Sequence, residues 1–324
     1  MDWQKLIETV RGHRIWIQTH NFPDPDAIAS AYGLQYFLDC HGVRAEICYT
    51  GHVDKISVVK MISNFDIKIC PIEELDLKES DYVVLVDCQK YNANLTDIPG
   101  EEVAVIDHHK TVKPCEYLYK DVRITGSCST LIAQYIKESG TPITKKVASV
   151  LYYGMKMDTD SMNRGVTKLD IEMMDYLFDY TDVGLVQSMY NNGMELQDLR
   201  AYGAAIENIQ IYDYIGLARI PFDCQDALIA MVSDFILKLD AVTIAVIYAE
   251  RGGGLKFSVR SEEPGVHAGD LTMKALKGIG DGGGHFTMAG GFVPKECRIE
   301  GASVEDKALY ERFVRAVEEV KGEF

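Results

Sequence analysis

Between Arg14 and about residue 160, short apolar runs alternate with stretches of helical periodicity, and this rhythm restricts the fold more than any other feature of the chain. "RIWIQTH" reads as a strand, "DAIASAYGLQYFLDCHG" as a helix stopped by Gly42, "VRAEICYT" as a strand and "VDKISVVKMISNF" as a helix. "YVVLVD" and "EVAVID" then follow as continuous apolar runs, the pattern of strands covered on both faces, before the helical "STLIAQYIKESG" and "ITKKVASVLYYGMKMDT". Buried strands joined by helices predict an α/β domain: a parallel sheet with helices on both faces. Sheets of this kind bind ligands beyond the carboxyl ends of their strands. His20, Asp87 and Asp107 each come directly after an apolar strand, so one rim gathers three polar side chains.

From Asp182 to about Tyr212 the pattern changes, and "ELQDLRAYGAAIENIQIYD" reads as a long connector helix without strand partners. Beyond it "IGLARIP", "VTIAVIYAE" and "LKFSVRS" read as strands, with "DALIAMVSDFILKLD" and "EDKALYERFVRAVEEVKGEF" as helices, a second and smaller α/β domain. The 324 residues suffice for two such cores. The opening segment lacks the apolar block of a signal peptide, and no run approaches about eighteen apolar residues, so a cytoplasmic protein with no membrane partner is expected. Eight scattered cysteines without a C-x-x-C pair read as reduced thiols. A formal charge of -16 argues against long nucleic acid on an open basic face, which needs many Lys and Arg to displace counterions. Small phosphorylated ligands remain compatible with local cationic groups.

The acidic residues concentrate where elements end. In "THNFPDPDAIAS", Asp24 suits a helix N-cap before Pro25 at the first helical position. Asp26 and His20 are not needed for capping. "VLVDCQ" ends on Asp87, "VAVIDHHK" presents Asp107, His108 and His109, and "YYGMKMDTDSM" places Asp158 after an apolar helix. Any one of these is explained as a turn residue. Together, each closing an apolar element, they point to a site for a hard or borderline divalent ion. Ser127 and Ser129 in "GSCSTLI" read as N-cap candidates, since no free base is paired with them.

The ordered set "HNFPDPD", "VVLVD", "DHH" and "GMKMDTD" resembles the four motifs of the DHH phosphoesterase superfamily, and "SVRS" with "GDGGGHFTMAGG" resembles its DHH-associated second domain. The compact layout is most similar to the nanoRNase type, oligoribonucleases that often also act on 3′-phosphoadenosine 5′-phosphate. The resemblance implies a DHH metal-binding catalytic domain over 1–185, a connector helix over 186–212 and a DHH-associated substrate-binding domain over 213–324, with the active site in the cleft between domains. It implies that His20, Asp24 and Asp87 hold one metal while Asp26, Asp87, His108 and Asp158 hold a second, with Asp87 shared. Two Mn2+ are implied, with Mg2+ or other divalent ions as substitutes. Asp107 would orient a histidine, and His109 would contact phosphoryl oxygens or help the leaving oxygen. Arg260, Ser261, Gly283, Gly284 and His285 would bind substrate, with His267 close in sequence to the glycines.

The implied activity is hydrolysis of dinucleotides and slightly longer RNA or DNA oligonucleotides to mononucleotides, by hydroxide attack in a two-metal site. Nucleotide phosphates join these as partners, and a homodimer is compatible. Two divalent ions would be nearly balanced by Asp24, Asp26, Asp87 and Asp158, so further groups are needed to hold a phosphate. Two other functions use the same residues: hydrolysis of pyrophosphate or polyphosphate, and binding of a linear or cyclic dinucleotide without turnover. The chain departs from its relatives at Pro25 and in "DTDSMNRG", where Asp160 adds negative charge and Arg164 offers compensation.

Overall fold

The computed structural model describes residues 2–53, 55–191, 194–196 and 198–322. The chain divides into two units, Met1–Gly193 and Met194–Phe324.

In the first unit the elements are α1 (Trp3–Val10), β1 (Ile15–Gln18), α2 (Pro25–Cys40), β2 (Ala45–Tyr49), α3 (Ile56–Phe65), β3 (Cys70–Pro71), β4 (Tyr82–Val86), β5 (Glu101–Asp107), β6 (Tyr119–Val122), α4 (Cys128–Ser139), α5 (Lys145–Asp158), α6 (Lys168–Phe178) and α7 (Val183–Asn191). The strands form one sheet in the order β3-β2-β1-β4-β5-β6. Every pairing in it is parallel, as the continuous apolar runs predict. The order reverses between β1 and β4, and at such a switch point the loops leaving the carboxyl ends diverge and open a crevice. β1 and β4 are the strands followed by His20 and Asp87. The edge strands escape the sequence pattern because β3 is only two residues long and β6 is half-polar.

Buried Ile15, Ile17, Val84, Val86, Ala104 and Ile106 pack the sheet against α2, α4 and α5, while Trp16, Val83, Leu85 and Val105 cover its other face. α2 is apolar on most sides because it lies between β-strand and helix layers, and eleven of its sixteen residues are buried.

The second unit contains α8 (Asp198–Asn208), β7 (Gln210–Tyr212), β8 (Ile215–Asp223), α9 (Asp226–Ile236), β9 (Ile244–Arg251), β10 (Gly254–Ser261), α10 (Ala268–Leu276), β11 (Asp281–Gly284), β12 (Met288–Pro294) and α11 (Ala302–Gly322). Its sheet runs β11-β12-β10-β9-β8-β7, antiparallel except where β8 meets β9. The glycine-rich "DGGG" is therefore a strand, with Gly283 opposite Gly290 and Gly284 opposite Ala289. The single connector helix expected over 186–212 is replaced by α7, α8 and β7. Asp198 accepts the Glu195 N–H at 2.7 Å, which starts a new helix, and the alternating "QIY" pairs with β8 instead of continuing α8. Among the described residues no helix is long and apolar enough to cross a membrane.

Arg219 ties α11 to this sheet. It is 8% exposed and donates to Glu305 at 3.2 Å, Asp306 at 3.0 Å and Glu250 at 3.3 Å. Removing one partner of a buried ion network leaves uncompensated charge. Arg219→Ala is expected to lower unfolding free energy by about 3–5 kcal/mol, seen as a lower denaturant midpoint for the full chain. An unchanged midpoint would show that the network is energetically idle.

Candidate metal centre

The turn after β1 places a histidine and two aspartates within seven residues. Asp24 caps α2 by accepting the N–H groups of Asp26 and Ala27, each at 3.0 Å, and Pro25 takes the first helical position, where a missing N–H costs nothing. His20 meets the Asn21 carbonyl through Nδ1 at 2.9 Å. A carbonyl only accepts, so Nδ1 carries a proton and Nε2 is left to face Asp24 Oδ1 at 3.8 Å and Asp87 Oδ2 at 3.7 Å.

Asp87 leaves β4 with φ of 61°, a left-handed conformation that aspartate tolerates better than bulkier residues. Its N–H donates to the Ile106 carbonyl at 3.0 Å, and its residue exposure is 2%. Oδ1 is buried and, among the described residues, has no hydrogen-bond partner. His108 Nε2 lies 3.2 Å from this Oδ1 and 3.4 Å from Asp158 Oδ2. Its Nδ1 meets the Thr125 carbonyl at 3.0 Å, so Nε2 is the nitrogen turned toward the carboxylates, carrying a proton in the absence of a cation and free to ligate once that proton leaves. A nitrogen and two carboxylate oxygens this close need a proton or a metal cation between them.

Asp26 is 1% exposed and accepts the N–H groups of Cys128 at 2.7 Å and Ser129 at 3.0 Å. Those are otherwise orphaned donors of the first turn of α4, so the helix end fixes the carboxylate and favours its charge. Asp158 ends α5, where the helix dipole disfavours an anion unless a cation is near. Ligand atoms of His20, Asp24 and Asp87 lie within 4.8 Å of one another, as do those of Asp26, His108 and Asp158 and those of Asp87, His108 and His109. Asp87 thus joins the His20 and Asp24 group to the His108 and Asp158 group. Nitrogen and carboxylate donors around an unpaired buried oxygen fit divalent ions such as Mn2+ or Mg2+.

Electrostatics points the same way. Burial, reinforced by Asp87 and Asp158, pushes Asp26 well above the ordinary carboxylate range. Burial, with Asp24 and Asp87 outweighing the help of His108, raises Asp158 to about 6. Burial opposes charge on His20, yet Asp24 and Asp87 lift it to about 9. His108 is likewise raised, against burial, by Asp87, Asp26 and Asp158. Burial resists ionisation of Asp24, and the adjacent His20 overcomes it and holds the carboxyl low.

Asp107 is fully buried and accepts from the His108 N–H at 2.8 Å, His109 Nδ1 at 2.9 Å and Gln89 Nε2 at 2.7 Å. It orients both histidines of the pair. Gln89 and Asp170 are absent from the sequence-based set. Gln89 braces Asp107 and the His109 carbonyl. Asp170 accepts the Gly126 N–H at 2.9 Å and the Thr167 N–H at 2.7 Å, fixing the turn whose Thr125 carbonyl orients His108. The signal for Asp170 is its place three residues after Thr167 at the start of α6. Ser127 caps α4 through the Thr130 N–H at 3.2 Å. Asp160 is exposed, whereas Arg164 donates to the Asp158 carbonyl at 2.7 Å, with its guanidinium 3.9 Å from Asp158 Oδ1.

In the second unit, Arg260 is the penultimate residue of β10 and is engaged, donating Nε to Asp234 at 2.5 Å and Nη1 to Ser258 Oγ at 3.0 Å. Any anion must compete with Asp234. Ser261 is 1% exposed and its hydroxyl donates to the Val266 carbonyl at 3.0 Å, so it holds the turn to α10 rather than offering a donor to a ligand. Gly283, Gly284 and His285 are exposed. His267 caps α10 by accepting the Asp270 N–H at 3.1 Å.

Two outcomes follow. A Cβ at Gly154 would lie 2.5 Å from Ser129 Oγ, 2.6 Å from Ala29 Cβ and 3.2 Å from Asp26 Oδ1. Gly154→Ala is expected to weaken Mn2+ binding about 10- to 100-fold in calorimetry, and wild-type affinity would contradict this packing. Metal binding must also strip protons from Asp26, Asp158, His20 and His108. Because Asp158 titrates near 6 and His20 near 9, apparent Mn2+ affinity rises across that window, by about tenfold per pH unit for each proton displaced. A flat pH profile would contradict the assignment of these groups to the metal.

Residues 14–155 match the family model "DHH family, N-terminal domain", and residues 212–321 match the "DHHA1 domain". The chain is 29% identical over 281 residues to the uncharacterized protein MJ1633 of Methanocaldococcus jannaschii, covering 86% of this chain and 57% of that protein. It is 28% identical over 151 residues to a probable manganese-dependent inorganic pyrophosphatase of Streptococcus pyogenes, covering 45% of this chain and 48% of the relative. The chain thus spans about half the length of these curated relatives. In fold it is similar to an exopolyphosphatase-related protein from Bacteroides fragilis, with a TM-score of 0.76 at 20% identity over 99% of this chain and 95% of that one. With a DHH domain followed by a DHHA1 domain, the chain belongs to the DHH phosphoesterase superfamily.

Proposed function

We propose that this chain is a divalent-metal-dependent phosphoesterase that hydrolyses dinucleotides and oligonucleotides of a few residues to mononucleotides, with 3′-phosphoadenosine 5′-phosphate as a further substrate. The observation that carries the reading is Asp87, a buried carboxylate with an unpaired oxygen, set between two histidine-carboxylate groups. Two Mn2+ held by His20, Asp24 and Asp87 and by Asp26, Asp87, His108 and Asp158 match the donor chemistry. The manganese dependence named for the streptococcal relative supports that choice. Bound divalent ions supply Lewis acidity toward phosphoryl oxygens and an acidified water.

The chain's own groups do the rest. Asp107 holds the proton of His109 on Nδ1 and, outweighing burial and the nearby His108, raises the ring above its ordinary pKa. The half-exposed His109 can therefore carry a second proton on Nε2 and pass it to the leaving oxygen. Arg260, Gly283, Gly284 and His285 are the proposed substrate contacts of the second domain, and Ser261, whose hydroxyl is committed to the Val266 carbonyl, braces the turn beside them. The charge of -16 supports short substrates over long polymers. Eight free cysteines support a cytoplasmic location.

Pyrophosphate hydrolysis is the second reading, favoured by the likeness to the streptococcal pyrophosphatase, which extends over less than half of this chain. The test supplies Mn2+ with 5′-labelled dinucleotides, 3′-phosphoadenosine 5′-phosphate or pyrophosphate. Mononucleotide release is expected, abolished by Asp87→Asn, and His109→Gln should lower kcat by about 10²- to 10⁴-fold. Phosphate release from pyrophosphate outpacing dinucleotide cleavage would establish the second reading. Activity untouched by Asp87→Asn would falsify both.

A further inference from the structure

Between His20 and Asp24 stands a residue that neither capping nor metal binding explains. Phe22 is 56% exposed and has φ of 56°. A bulky side chain in the left-handed region is an outlier, and the strain persists only where the surroundings enforce it. Here they do. The Phe22 N–H donates to the Thr50 carbonyl at 2.9 Å, and the preceding Asn21 N–H donates to the Asn94 carbonyl at 2.7 Å. Gly51, with φ of 92°, lets the ring lie against the backbone, since a Cβ there would be 2.7 Å from two ring carbons. His52 meets the ring edge-on with centroids 6.0 Å apart.

The location is equally specific. In the sheet β1 lies between β2 and β4. Thr50 and Gly51 follow β2, His20 follows β1 and Asp87 follows β4, so the ring is fixed at the carboxyl rim on the His20 and Asp24 side of the centre. Tyr91, after β4, is also 56% exposed at positive φ, but Lys113 Nζ sits 4.1 Å over its ring. Phe22 instead offers an uncharged aromatic surface. A folded core gains nothing from an aromatic ring held out in a strained conformation, whereas a flat ligand does.

We propose that Phe22 is a stacking platform for the nucleobase of the phosphoester substrate, a specificity determinant that favours nucleotides over phosphates without a ring. This rests on the nucleotide-hydrolase reading for its ligand. Its test nevertheless requires no turnover. Equilibrium binding of AMP and of ribose 5-phosphate to the Mn2+-loaded full chain isolates the base, because both carry the same 5′-phosphate.

Base–aromatic stacking predicts AMP binding about 5- to 150-fold tighter than ribose 5-phosphate. Phe22→Ala should remove that gap while leaving ribose 5-phosphate and Mn2+ affinities as in the wild type, and Phe22→Trp should keep it. Equal affinities in the wild type, or a gap that survives Phe22→Ala, would overturn the platform. So would a Phe22→Ala loss shared equally by ribose 5-phosphate or by Mn2+, which would make Phe22 a structural brace. Absence of dinucleotide hydrolysis with the AMP preference intact would overturn the enzyme reading alone.

Discussion

The carboxylate of Asp87 is the constraint on which the rest of the first unit depends. A buried anion is tolerated only when its oxygens are paired, and here one oxygen faces the Nε2 of a histidine whose other nitrogen is already committed. The neighbouring acids make the demand stronger: Asp26 and Asp87 are buried, Asp158 is largely so, and three charges this close are held together only with cations among them. The perturbed titration of His20, His108, Asp26 and Asp158 expresses the same excess of negative charge.

Much of the scaffold serves to keep these groups where water alone would disperse them. The parallel sheet delivers His20 and Asp87 from adjacent strands at the switch point. α4 gives its first two N–H groups to Asp26, and Gly154 removes a side chain so that α5 can approach that contact. Asp107, Gln89 and Asp170 act one step further out, fixing carbonyls and rings so that the histidine nitrogens face inward. Such outer contacts set ligand orientation, and therefore affinity, without touching an ion.

The parallel sheet and the aspartates Asp87 and Asp107 were legible in the sequence because β4 and β5 are continuous apolar runs that end abruptly in a charge. β3 and β6 were not, the first being too short and the second too polar for periodicity to register. The glycines of "DGGG" carry no strand signal in the sequence because their conformational freedom says nothing about pairing, yet β12 supplies partners for them. Asp170 was hidden by ordinary capping chemistry, and the Asp234 contact of Arg260 by a sequence separation of 26 positions. Phe22 lay in plain view within "HNFPDPD", but only the backbone angle and exposure separate it from a core aromatic.

The proposed dinuclear centre is tested most directly by anomalous diffraction from crystals grown with Mn2+. Two peaks about 3.5–4 Å apart, both coordinated by Asp87, with His20 and Asp24 on one and Asp26, His108 and Asp158 on the other, are the expected result. A single ion that leaves Asp87 uncoordinated, or no ion among these side chains, would contradict it.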